Sequence, residues 1–116
     1  MIAPLKNASK LYGGSIRLPA GAVPLASDQY AGIVCLMPSG RWVRWWPTES
    51  LLQTMAPETQ STVMSVLIGH FGGTAATMAL RLGVSVRTVE GWRSGRARLP
   101  IKPAYKITQA LSTPAD

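Results

Sequence analysis

Cysteine, histidine and phenylalanine each occur once among the 116 residues, and only five side chains are acidic. Each scarcity removes a class of chemistry. The lone Cys35 cannot form an intrachain disulfide, which fits a reducing cytoplasm. His70 has no second His or Cys at metal-ligand spacing, so no metal site is expected. Asp28, Glu49, Glu58, Glu90 and Asp116 stand apart from one another, leaving no carboxylate pair for acid–base work. A phosphate-cradling glycine loop of the P-loop type is also missing. The expectation is a protein with no catalytic residues, no cofactor and no metal. No stretch reaches the roughly 18 apolar residues of a membrane span, and residues 1–14 hold no apolar run of signal-peptide length. A cytoplasmic protein without membrane attachment is expected.

Basic residues are plentiful by contrast. Twelve Lys and Arg give a net charge of +7, which favours polyanionic partners, nucleic acid first. The excess is uneven. Residues 74–116 carry Arg81, Arg87, Arg93, Arg96, Arg98, Lys102 and Lys106 against Glu90 and Asp116, whereas residues 1–73 carry five basic side chains against three acidic ones. With 47 % hydrophobic and 15 % charged residues, a buried core is within reach of a chain this long.

Residues 75–95, AATMALRLGVSVRTVEGWRSG, organise the basic half. Thr74 follows Gly72 and Gly73 and is a good N-cap for a first helix over 74–82. Met78, Ala79 and Leu82 form its buried stripe. Gly83 ends it, because the residue past a helix C-terminus often needs positive φ. Ser85 caps a second helix in which Val89 and Trp92 face inward, and Gly95 closes the unit. A helix, a Gly turn and a second helix, with small Ala79 at the crossing, describe a helix-turn-helix.

The pattern A-x-x-x-G-V-S-x-x-T-V-x-x-W-x-x-G-R from Ala79 to Arg96, followed by Pro100, resembles the XRE-type helix-turn-helix of Cro-like and phage-repressor proteins. The resemblance covers roughly residues 63–111. Ala75 stands where many relatives carry a Gln that braces a phosphate contact, and Arg93 stands where an acidic residue often follows the Trp. The resemblance implies that the helix starting at Ser85 enters the major groove by its N-terminal end. Base contacts then fall to Ser85, Val86, Arg87 and Gly91, with Thr88 beside them. Arg87 is the sharpest of these. Its planar fork matches guanine O6 and N7, a contact worth roughly 1–3 kcal/mol of discrimination. Val86 suits a thymine methyl, and Gly91 permits close backbone approach. Thr74, Thr88, Arg93, Arg96, Arg98 and Lys102 are the phosphate candidates.

The rest of the chain is expected to frame this module. Residues 1–30, interrupted by Pro4, Gly13, Gly14, Pro19, Gly21 and Pro24, read as an irregular arm with a possible extended piece at 15–18. Its cations are Lys6, Lys10 and Arg17, and a packing or linker role is preferred to groove insertion. Residues 31–47 hold the clearest β signal: runs at 33–37 and 41–46 flank the turn Pro38-Ser39-Gly40, a hairpin. Trp42, Trp45 and Trp46 with Arg41 and Arg44 can be read as a base-stacking surface or as core and interface anchors. The second reading is preferred, as a homodimer interface, since a lone hairpin needs something to pack on. Residues 48–112 are assigned to the DNA-binding domain. It begins with a short helix over 47–56 (Leu51, Leu52 and Met55 as apolar face), continues with a helix over 58–71 and ends with one over 103–112, before a frayed tail at 113–116.

The expected fold is therefore mainly α: a helix-turn-helix core of four to five short helices plus an N-terminal arm and a small β-hairpin. The expected function is sequence-specific transcriptional regulation, as repressor, by a homodimer on double-stranded DNA, and the phage resemblance implies a mobile-element origin. The rival is a protein-binding inhibitor or adaptor that uses the Trp-rich hairpin on a helix-turn-helix scaffold; a DNA-packaging role stands third.

Overall fold

The computed structural model describes residues 2–5, 17–30 and 32–112. Along the chain run β1 (Ala3–Pro4), β2 (Val23–Ser27), β3 (Ile33–Leu36), β4 (Trp42–Trp46), β5 (Leu51–Thr54), α1 (Thr59–His70), α2 (Ala75–Leu82), α3 (Val86–Ser94) and α4 (Ile101–Ser112). The five strands form one antiparallel sheet in sequential order. This overturns the expected fold class. The chain is a sheet-rich α+β protein, not a mainly helical one with a small hairpin.

Two local misreadings account for the difference. The first is the arm at 1–30, which contributes β1 and the buried strand β2. Pro24 breaks helices but not this strand. The pairing steps from Pro24↔Cys35 to Ala26↔Val34 and leaves Leu25 as an extra residue, a bulge of the kind that tolerates proline. The second is the helix expected at 47–56. Its apolar spacing fits a helix on paper, yet Ser50, at φ 49, donates its N–H to Pro47 O (3.3 Å) in a tight turn. That turn sends the chain back along β4, pairing Trp46↔Leu51 through Val43↔Thr54. β5 is exposed along its whole length. Strand pairing, not burial of an apolar stripe, decides its conformation.

The hairpin over 33–46 is present as β3 and β4, with Leu36↔Trp42 and Ile33↔Trp45 at its ends. It is the middle of the sheet rather than an isolated ribbon. β3, IVCL, is buried at every position, as a strand covered on both faces should be. Cys35 lies inside it at 0 % exposure, and burial pushes its thiol from 9.0 up to about 12. It stays neutral at physiological pH and acts as an apolar filler. The helices expected at 58–71 and 103–112 are α1 and α4. α1 packs on β1 and α3, and α4 packs on β2, so one core joins sheet and helices. Lys6, Lys10, part of the extended piece at 15–18 and the tail at 113–116 lie outside the described residues. Among the described residues no single helix is long and apolar enough to cross a membrane.

One ion pair ties the sheet's turns to its strands. Asp28 Oδ1 accepts hydrogen bonds from the N–H groups of Tyr30 (2.9 Å) and Gly32 (2.8 Å), while Oδ2 pairs with Arg44 Nε. Arg44 also donates to Gln53 Oε1 (3.1 Å) and lies 5.7 Å from the centre of the Trp46 ring. The β2–β3 turn, β4 and β5 are thereby joined through two side chains. Asp28→Ala strips the turn of its acceptor and leaves a guanidinium that is only 25 % exposed, for an expected loss of about 2–3 kcal/mol. Asp28→Asn keeps the Oδ1 acceptor and should lose less. Urea denaturation midpoints of the two variants check both the size and the order.

Candidate nucleic-acid interface

The helix-turn-helix is set by local chemistry at four points. After α1, Gly72 and Gly73 turn the chain at φ 107 and 89. A Cβ on Gly72 would lie 2.7 Å from Thr77 Oγ1, so only glycine leaves room for the cap that follows. Thr74 Oγ1 accepts from Thr77 N–H (3.1 Å) and Thr77 Oγ1 accepts from Thr74 N–H (3.4 Å), a reciprocal capping box. Gly83 ends α2 in the left-handed conformation at φ 71. Ser85 Oγ then accepts from Thr88 N–H (3.1 Å) and starts α3, and Gly95 at φ 81 stops it.

Met78, Ala79 and Leu82 of α2 and Val89 and Trp92 of α3 are buried together, with Ala79 only 2 % exposed at the crossing. The opposite side is open. Ser85, Val86, Arg87 and Thr88 are exposed at the N-terminal end of α3, and Thr74, Arg93, Arg96, Arg98 and Lys102 are exposed around it. None of these cations engages a carboxylate among the described residues. The Thr74 and Thr88 hydroxyls are partly committed to the caps, Thr88 Oγ1 sharing a 2.8 Å hydrogen bond with Ser85 Oγ. Lys102 and Lys106 flank a hollow of about 170 Å³ floored by Leu82, Val84 and Pro103, against the motif's turn.

Gly91 does not belong with the exposed readers. It is buried, and a Cβ there would meet Ala97 Cβ at 3.7 Å and Arg96 Nη2 at 3.6 Å. The chain after Gly95 folds back over it, with Ala97 N–H donating to Gly91 O (3.1 Å). Both Cβ distances are ordinary contacts, so the backbone bond rather than a missing side chain holds the loop there, and Gly91 is covered by it.

The tryptophans also sit differently from expectation. Trp42 and Trp45 are 4 % and 9 % exposed within their own chain, and Trp45 Nε1 donates to Arg17 O (2.7 Å). Trp46 is half-buried and donates to Tyr30 O (3.0 Å). Two of the three are thus buried anchors of the sheet within their own chain.

One residue unnoticed in the sequence holds the site in shape. Gln60 is 6 % exposed. Its Nε2 donates to Trp92 O (2.8 Å) and Ala97 O (2.7 Å), and its Oε1 accepts from Leu99 N–H (2.8 Å). One amide on α1 thus fixes both the end of α3 and the loop bearing Arg96 and Arg98. The signal was legible: Gln60 shares the helical stripe of Val63, Met64 and Leu67, and a polar residue on an apolar stripe must find partners.

No family model matches this chain, and no curated protein or solved structure does. Geometry and charge alone carry the functional reading. Gln60→Ala leaves Ala97 O and Leu99 N–H without this partner and Trp92 O with the Gly95 N–H alone, an expected destabilisation of about 2–3 kcal/mol. Amide hydrogen exchange should show the Leu99 N–H losing protection more than the N–H groups early in α3.

Proposed function

We propose that the chain is a sequence-specific double-stranded DNA-binding transcriptional regulator, a repressor, that reads the major groove with the first turn of α3. The observation that carries this is the exposed row Ser85–Thr88 at the capped start of a helix whose other face is buried, next to cations that have no carboxylate partner among the described residues. An α-helix fits the major groove, where each base pair offers a distinct donor and acceptor pattern. Arg87 is the proposed base reader, with Ser85 and Val86 beside it. Arg93, Arg96, Arg98 and Lys102, with the amide-bearing helix starts at Thr74 and Ser85, are the proposed backbone grips.

Binding as a homodimer to a two-fold operator in the cytoplasm completes the proposal, because one such module touches too few base pairs to be selective alone. The rival use of the Trp-rich hairpin as a protein-binding surface loses its main support, since Trp42 and Trp45 are buried.

The roles separate by experiment. Arg87→Ala should narrow the affinity difference between preferred and random duplexes by roughly 1–3 kcal/mol. Arg96→Ala should weaken all sequences alike and reduce the slope of log K against log salt by about 0.9. Binding titrations over a salt series check both, and indistinguishable behaviour of the two variants refutes the division of labour.

A further inference from the structure

Beyond the helix-turn-helix, a cleft of about 390 Å³ opens between the β3–β4 turn and the loop after α3. Ser39, Gly40 and Arg41 of the turn, Trp42, the end of β5 with the stretch just after it, Gln60 of α1 and Arg98 of the loop line it. Arg41 and Arg98 come from opposite halves of the chain, and both are exposed. No carboxylate lines the cleft or pairs with either arginine among the described residues. Arg98 lies against the turn itself: a Cβ on Gly40 would be in ordinary contact with its Nη1, at 3.6 Å. Two arginines line one cleft that holds no counter-charge among the described residues, which favours an anion there, since charge-assisted hydrogen bonds to guanidinium are among the stronger ones.

We infer that this cleft is a second grip on the DNA, in which Arg41 of the sheet and Arg98 of the loop hold a backbone phosphodiester. The inference rests on the double-stranded DNA reading of α3 and extends it. The Gln60 amide of α1 bonds to Ala97 O and Leu99 N–H, on either side of Arg98, and to Trp92 O of α3, so the backbone at Arg98 is tied to α3 through one side chain. The sheet then has a role in binding: its hairpin tip adds a backbone contact beyond the end of α3. The site contributes affinity and salt dependence but no sequence preference.

The test uses the full chain, ¹⁵N-labelled, titrated with a random-sequence duplex and separately with inorganic phosphate. The duplex should shift the amides of Ser39, Gly40 and Arg41 together with those of Ser85–Thr88. Arg41→Ala should lower the magnitude of the salt slope by about 0.9 without changing base preference, and Arg41→Lys should restore most of it. Arg41 is an exposed turn residue, and an unchanged amide spectrum for the rest of the variant verifies its fold. Shifts at 85–88 without shifts at 39–41, or an unaltered slope for Arg41→Ala, overturn the second grip and leave the α3 reading standing. Shifts at 39–41 alone support the grip and refute the α3 reading, and shifts at neither refute both. Inorganic phosphate saturating the 39–41 shifts at the duplex's concentration overturns the assignment to a duplex backbone.

Discussion

Three hydrogen bonds from the Gln60 amide are what the basic, helix-turn-helix half of the molecule depends on. They tie α1, which rests on the sheet, to the carbonyl at the end of α3 and to both sides of the basic loop. Each bond contributes about 1 kcal/mol net, and leaving the buried Leu99 N–H unpaired costs more than the bond itself is worth. The loop is therefore tied at two points to α1. Arg96 and Arg98 are held on a fixed backbone, which spares the entropy of ordering them when an anion binds.

The sheet supplies what the short helices cannot. α2 and α3 span eight and nine residues, too few to be stable alone in water, and they persist because they bury Met78, Leu82, Val89 and Trp92 in the common core. That core extends through α1 and α4 to a five-stranded meander anchored by Trp42 and Trp45. Charge is divided accordingly. Among the described residues, the one buried carboxylate, Asp28, is matched to Arg44 in the sheet, while the cations around α3 are exposed and pair with no carboxylate. A surface that leaves its positive charge uncompensated stores repulsion that a polyanion relieves.

The motif was legible because its signals are local. Thr74, Gly83, Ser85 and Gly95 act within a turn of where they stand, and each does what its residue type dictates at that position. The same holds for α1, α4 and the β3–β4 hairpin. Elements that depend on distant partners were not legible. Leu51, Leu52 and Met55 have helical spacing, and only pairing with β4 makes that stretch a strand. Pro24 looks like a breaker until β3 is beside it to accept a bulge. Gly91 looks like an open position on α3 until the loop after Gly95 folds over it. The missed strands changed the fold class, and Trp42 and Trp45 are buried within their own chain.

Selection of bound duplexes from a random pool by the full chain tests the central claim most directly. The expected result is enrichment of a two-fold symmetric motif with a guanine in each half-site, and loss of preference at that guanine when Arg87 is replaced by Ala. A pool that remains random after repeated rounds at physiological salt would contradict sequence-specific reading by α3.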